Sequence, residues 1–224
     1  MEFNSKENIK MKIVGIDYSM NSPGVVRFYL NDNLDLIKAD YLGFTQVKKN
    51  EKLPNILYYK KDKFVNNIEK FIWINDNIHN FLLNDYSYFQ DNYIALEGYA
   101  YGAKGKVFEI GEATGELKKR IWENKIPLRI YDPTSIKMYI TGLGNADKEL
   151  MKKHYKGIIP IENINEDIID AYHITSLLQM ELKIRKGIIK TQDLLEHQIK
   201  VFNRCTKSHP ENILVENFIL QSKE

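Results

Sequence analysis

Residues 12–17 read Lys12-Ile13-Val14-Gly15-Ile16-Asp17, an almost unbroken apolar run that ends in a carboxylate. A run of that density is expected of a strand covered on both faces. Outward from it, Asn21-Ser22-Pro23-Gly24 is a turn, Val25 to Leu30 a second strand, Asn31-Asp32-Asn33 another turn, and Leu36 to Phe44 a third strand. Strand, turn, strand, turn, strand is an antiparallel meander.

The rest of the chain wraps this meander. Residues 1–10 read as a loose tail, and 45–62 as a polar, lysine-rich loop. Between Phe64 and Leu83 the apolar positions 64, 65, 68, 71, 72, 78, 81 and 82 suit an amphipathic helix. Tyr93-Ile94-Ala95-Leu96 is a buried strand ending in Glu97. Val107 to Glu123 is a helix with Gly111 and Gly115 on one side. Glycine costs helix stability there, which implies close packing against a neighbour. Leu128 to Tyr131 is a fifth strand, and a helix starts at Pro133 or Thr134. Gly142-Leu143-Gly144 is a break before a short helix from Asp147 to Tyr155. Asn163 or Asn165 caps a long helix from Asp167 to about Lys186. Residues 187–224 are weakly patterned, with room for a helix over 191–203 and a strand-like tail at Ile213 to Leu220. The order predicts an α/β fold: a mixed five-stranded sheet, three antiparallel strands and then parallel ones, flanked by helices. The domain plan is a flexible tail (1–10), one domain (11–186) and a C-terminal extension (187–224).

Composition narrows the function. The 224 residues are 43% hydrophobic, enough for one core and not comfortably two. Cys205 is the only cysteine, so neither an intrachain disulfide nor a thiolate zinc site can form. Met1 to Lys12 lacks the apolar centre of a signal peptide, and no run approaches the roughly 20 residues of a membrane span. These features predict a soluble, cytoplasmic protein with no membrane partner. The net charge is only +2; with four acids sequestered in a site, 32 basic residues would face 26 acidic ones. That is compatible with nucleic acid without demanding it.

Four acids carry the chemistry. Asp17 and Glu97 each end a buried strand, where open α/β sheets place ligands. Either alone reads equally well as a turn-capping or exposed strand-end acid; two together favour a shared site. Asp167 and Asp170 are three residues apart, on one helix face, in the turns where the helix dipole favours negative charge. Ordinary N-terminal helix charge is the alternative, but Ala171, Ile174, Leu177 and Leu178 mark that face as the core side. Four clustered carboxylates with no required Cys or His suit Mg²⁺ or Mn²⁺. Two such ions per site would serve phosphodiester hydrolysis.

The motifs also resemble a family. Ile13-Val14-Gly15-Ile16-Asp17, Ile94-Ala95-Leu96-Glu97, Gly111-Glu112-Ala113-Thr114-Gly115, the segment from Ile136-Lys137 through Gly142-Leu143-Gly144-Asn145-Ala146-Asp147-Lys148, and Asp167-Ile168-Ile169-Asp170-Ala171 are similar, in order, to RuvC-type Holliday-junction resolvases. The resemblance covers roughly 12–180. It implies an RNase H-like fold with Asp17, Glu97, Asp167 and Asp170 as metal ligands. Lys148, and with less support Lys137, would stand at the scissile phosphate. It further implies a homodimer that binds a four-way DNA junction and nicks two symmetric strands, in DNA recombination and repair. The sequence departs from the family in its longer, lysine- and asparagine-rich 45–92 stretch, in the loop after Glu97, and in a C-terminus running some 40 residues past the last acidic helix. These departures resemble the phage and viral branch.

Other features carry a second meaning beside the first. Tyr99, Tyr101, Lys104 and Lys106 combine aromatic faces with charge, suited to stacking on unpaired bases, or form a flexible loop with surface tyrosines. Lys118 and Lys119 are solvated or contact DNA backbone. His173, on the Asp170 face, is a core histidine before it is a site group. The rival functions are a related nuclease for other branched DNA or RNA–DNA hybrids, an actin-like kinase or ATPase, and a non-catalytic junction binder. The kinase reading needs a second phosphate loop that the sequence does not offer, and the retained acids oppose the last.

Overall fold

A computed structural model describes residues 9–83, 92–98 and 107–205. Tyr99, Tyr101, Lys104, Lys106 and the strand-like tail at 213–220 lie outside the described residues.

The meander forms as expected: β1 (Met11–Asp17), β2 (Gly24–Leu30) and β3 (Leu36–Thr45) pair antiparallel, with Asp17 opposite Gly24 and Gly24 opposite Gly43. Then β5 (Asn92–Glu97) joins β1 in parallel and β6 (Leu128–Tyr131) joins β5. The sheet has six strands rather than five. The stretch 45–62 is not simply a loop: it holds a 3-10 turn, Lys48–Lys52, and the short strand β4 (Ile56–Tyr58), parallel to β3 at the sheet edge. Three residues flanked by lysines give too little alternation to read, yet Ile56 and Tyr59 are buried there. The strand order is β4-β3-β2-β1-β5-β6.

Helices cover both faces. On one lie α1 (Asn67–Leu83) and α2 (Val107–Glu123), burying Phe71, Ile74, Ile78, Leu117 and Ile121 against Val14, Ile16 and Leu96. On the other lie α3 (Pro133–Thr141), α4 (Lys148–Lys153), α5 (Glu166–Arg185) and α6 (Glu196–Cys205). The anticipated close packing at Gly115 is absent, since a Cβ there would meet nothing within 4 Å. Close packing occurs instead at Gly15 and Gly24. A Cβ on Gly15 would collide with the α5 backbone at Ala171 and Thr175, and one on Gly24 with the carbonyl of Asp167. Glycine therefore lets α5 lie directly on β1 and β2. The 187–205 stretch is packed, not loose: Val201 and Phe202 of α6 are buried, and Phe202 meets Tyr139 of α3 edge-on at 6.0 Å between ring centroids. No described helix is long and apolar enough to cross a membrane.

Candidate functional site

Strand alternation aims the first two acids. Ile13, Gly15 and Asp17 share one face of β1, and Tyr93, Ala95 and Glu97 share the same face of β5. Ile13 and Ala95 lie in the core beneath α5, so Asp17 and Glu97 point to the α5 side. The parallel register places them side by side at the strand ends, Ile16 opposite Leu96. Asn165 caps α5 by accepting from the Ile168 amide at 3.1 Å. That cap starts the helix so that Asp167 and Asp170 fall in its first turns over the same sheet edge.

The result is one cavity of about 300 Å³ lined by Asp17, Glu97, Asp167 and Asp170, with Ser19, Lys137, Lys148 and the apolar Pro133, Ile136, Met151 and Ile174. A wider, open depression of about 750 Å³ lies over Asn145, Asp147, Glu149, Lys152 and Lys153. It is mixed in charge and holds none of the four acids, so the chemistry points to the smaller cavity.

Electrostatics inside the cavity are strained. Burial, then the charges of Glu97 and Asp170, raise the pKa of Asp17 far above the usual carboxylate range; Glu97 is also within hydrogen-bonding reach. Burial raises Glu97 too, against the opposing pull of Asp17, Lys137 and Lys148. Asp170 is pushed up to about 6, mainly by burial and further by Glu97, Asp167 and Glu166, with Lys148 opposing. Asp167 is raised by burial, against Ser22 and Lys148. Like charges in a dry pocket favour protonation unless a cation replaces the proton. Among the described residues no three such side chains are drawn together tightly enough to grip an ion. The donor set is oxygen only, and it fits a hard divalent cation.

Two lysines reach the cavity. Lys148 opens α4 immediately after Asp147, whose side chain accepts from the Leu150 amide at 2.8 Å. Burial opposes its charge, but Asp167, Asp170 and Glu166 outweigh that and hold its pKa above the ordinary lysine value. Its Nζ lies 3.5 Å from Glu166 Oε2. Lys137, on α3, faces Glu97. Lys118 and Lys119 sit on α2, across the sheet from the cavity, and Lys119 pairs with Glu123 at 2.8 Å. His173 is a core group: it is buried, burial pushes its pKa down to about 4, and its Nε2–H donates to the Met151 carbonyl at 3.1 Å. It thereby ties α4 to α5. Ser19, Ser22 and Glu166 escaped the sequence reading. The signal available was position alone: two follow a strand-end acid within one turn, and one precedes Asp167.

Comparison with known proteins bears on this geometry. Residues 60–176 match the family described as crossover junction endodeoxyribonuclease RuvC. The RuvC of Caldicellulosiruptor saccharolyticus is 31% identical over 88 residues, 38% of this chain and 53% of that protein. The RuvC of Natranaerobius thermophilus is 26% identical over 113 residues, 49% of this chain and 70% of that protein. The chain thus spans about half the length of the first relative and more of the second. A Thermus thermophilus RuvC structure superposes with a TM-score of 0.53 at 18% identity, covering 80% of this chain and 98% of that one. The T. thermophilus RuvC in complex with Holliday junction substrate gives 0.55 at 19% identity, covering 80% and 97%. At those identities the likeness speaks to fold, and the fold is the RNase H-like arrangement expected from the motifs. The family match takes in just over half of the 224 residues, including Glu97, Lys137, Lys148, Asp167 and Asp170, and on that ground the chain belongs to the RuvC family of crossover junction endodeoxyribonucleases.

Proposed function

We propose that this chain is a structure-selective endonuclease that resolves four-way (Holliday) DNA junctions by paired, symmetric nicks. One observation carries the reading: in a member of this family, four half-buried carboxylates from β1, β5 and α5 line a single cavity with Lys148 and Lys137 at its side. The RuvC family is one of metal-dependent nucleases. The finer reading is that Asp17, Glu97, Asp167 and Asp170 hold two Mg²⁺ or Mn²⁺ ions. Held by those four acids, such ions would supply the Lewis acidity that activates water and offsets charge on the leaving oxygen of a phosphodiester. The chain's own groups do the rest. Lys148 offsets charge building on the phosphate. Ile136, Met151 and Ile174 wall the cavity against bulk water, which strengthens every interaction inside it. Tyr99, Tyr101, Lys104 and Lys106 follow Glu97 in the chain and would meet the junction, whereas Lys118 and Lys119, across the sheet on α2, would reach only DNA that extends round to that face.

Paired nicks require two copies. Val65, Ile68 and Ile72 form an exposed apolar stripe leading into and along α1, and Phe108 and Trp122 are exposed on the neighbouring α2. A stripe of that kind suits a homodimer contact. The test is a synthetic four-way junction incubated with Mg²⁺, with cut sites mapped. Nicks at symmetric positions in two strands are expected. Cutting of an RNA–DNA hybrid with the junction left intact overturns the reading.

A further inference from the structure

The stretch leading from the sheet edge into α1 is strongly basic. Residues 48–63 hold six lysines against Glu51 and Asp62, an excess of four in a chain whose formal total is +2. The positive character of the protein is thus concentrated in one short segment. Lys48 pairs with Glu51, and Lys63 lies 3.7 Å from the centroid of the Trp73 ring. Lys49, Lys52, Lys60 and Lys61 are exposed and have no ion-pair partner among the described residues.

Topology puts these lysines beside the cavity. Strands β1, β3 and β4 run in the same direction, so all three leave the sheet at the edge where Asp17 sits. Asp17, Gly24, Gly43 and Ile56 form one row across the sheet. Three strand spacings make that row about 14 Å long. The 3-10 turn follows the end of β3, and Lys60 and Lys61 follow the end of β4, both beyond the row. The segment is also anchored. Tyr59, buried, donates its hydroxyl to the Asn21 carbonyl at 2.7 Å, and Lys70 Nζ donates to Asn21 Oδ1 at 3.0 Å. Asn21 belongs to the turn that follows Asp17. The Tyr59 ring packs edge-on against Phe64 and Trp73, with centroids 5.6 and 5.4 Å away. The backbone that carries Lys60 and Lys61 is thereby tied to the turn beside the cavity.

We propose that residues 48–63 form a second DNA-binding surface, in which Lys49, Lys52, Lys60 and Lys61 contact the phosphates of the duplex arm beside the cut. Phosphates of one strand recur about every 3.4 Å along the duplex axis, so the row places these contacts about four nucleotides from the scissile bond. The proposal rests on the nuclease reading above and adds the arm that the nuclease grips.

The test combines Lys49→Gln, Lys52→Gln, Lys60→Gln and Lys61→Gln in one chain, with the matching four-fold Arg variant as a control. Binding of a synthetic junction is measured by anisotropy without divalent metal across a salt series. Each phosphate contact steepens the plot of log K against log salt by about 0.9, so the Gln variant should be shallower by about 3–4. Its affinity deficit should therefore shrink about 100-fold between roughly 50 and 200 mM salt. The Arg variant should keep the native slope. Cleavage of bound junction, with Mg²⁺ restored, should be unchanged, because none of the four lysines reaches the cavity. Equal slopes for native and Gln chains overturn the proposal, and if the junction is still cut the nuclease reading survives it. Loss of slope on plain duplex by a chain that never cuts junctions sinks the nuclease reading and leaves this surface standing.

Discussion

Toward its C-terminal end, α5 holds Glu181, almost fully buried. It accepts from Arg129 Nε at 3.1 Å, from the Tyr131 hydroxyl at 2.6 Å and from Arg185 Nε at 2.9 Å. At its N-terminal end, the same helix holds Asp167 and Asp170, which face Asp17 and Glu97 across a cavity, with Lys148 as the nearest cation. Both ends bury carboxylates against the same sheet. One end supplies every counter-charge from within the chain. The other gathers like charges and leaves much of the compensation to something else. A buried acid is therefore framework or function according to what surrounds it, and burial alone does not tell them apart.

The contrast can be broken most sharply at Asp17. Asp17→Asn should reduce junction cleavage about 10³-fold or more, a loss at the upper end of what one stabilising group supplies. Junction binding should persist and thermal stability should hold or rise, because the amide has no charged form for burial and the neighbouring acids to oppose. A collapse in stability with normal cleavage per folded molecule would put Asp17 in the same class as Glu181. Glu181→Ala should do the opposite. Stranding the Arg129 guanidinium in the core should cost about 3–5 kcal/mol in denaturant unfolding, with cleavage by the folded fraction unchanged. Lys148→Ala should lower kcat by about 10²-fold with little change in KM. Lys137→Ala should do less, since that lysine faces Glu97 alone; equal losses would erase the distinction between the two.

The smallest effect is on pH. Asp170 holds its proton up to about 6, well above the carboxylate's ordinary value, so its contribution to metal-free stability is full at low pH and fades as pH rises through 6. His173, held near 4 by burial, works in reverse: its contribution is full above the ordinary imidazole value and fades as pH falls toward 4. A divalent cation held by the four acids, as proposed, would displace the carboxylate protons and leave His173 alone. The rise in Tm on adding Mn²⁺ should therefore be about 2–4 °C larger near pH 8 than near pH 5.5, the shift of roughly 1 kcal/mol in a chain this size. An equal rise at both values would mean that the ion is not replacing protons.

Local signals made much of this legible in the sequence. Asp17 and Glu97 were visible because an apolar strand run stops at each, and Asp167 and Asp170 because their spacing matches a helical turn whose other members are apolar. The bounds of α2 and β6 follow directly from their periodicity and flanking turns. What stayed hidden depends on contacts between distant segments. Strand β4 is three residues among lysines, and only its pairing to β3 makes it a strand. Arg129 and Glu181 are 52 positions apart and each looks like an ordinary surface charge until β6 and α5 are brought together. Gly115 was read as a packing glycine because helix propensity says that a glycine there needs a reason; its surroundings are open, and the packing glycines proved to be Gly15 and Gly24 on the strands.

Gly24 has a wider consequence. Because it has no side chain, the carbonyl of Asp167 rests on the β2 backbone directly opposite Asp17. The span between the β1 acid and the α5 acids is therefore set by main chain against main chain, like the fixed jaw of a gauge. Side-chain substitutions around the cavity can change its charge but hardly its width. With the main chains already in contact, any difference between the roughly 2.0–2.1 Å oxygens that Mg²⁺ takes and the roughly 2.3–2.6 Å oxygens of Ca²⁺ would fall to the carboxylate side chains. A methyl group at Gly24 would push α5 off the sheet and carry Asp167 and Asp170 away from Asp17, so the spacing of the acids rests on a residue with no donor atom to offer.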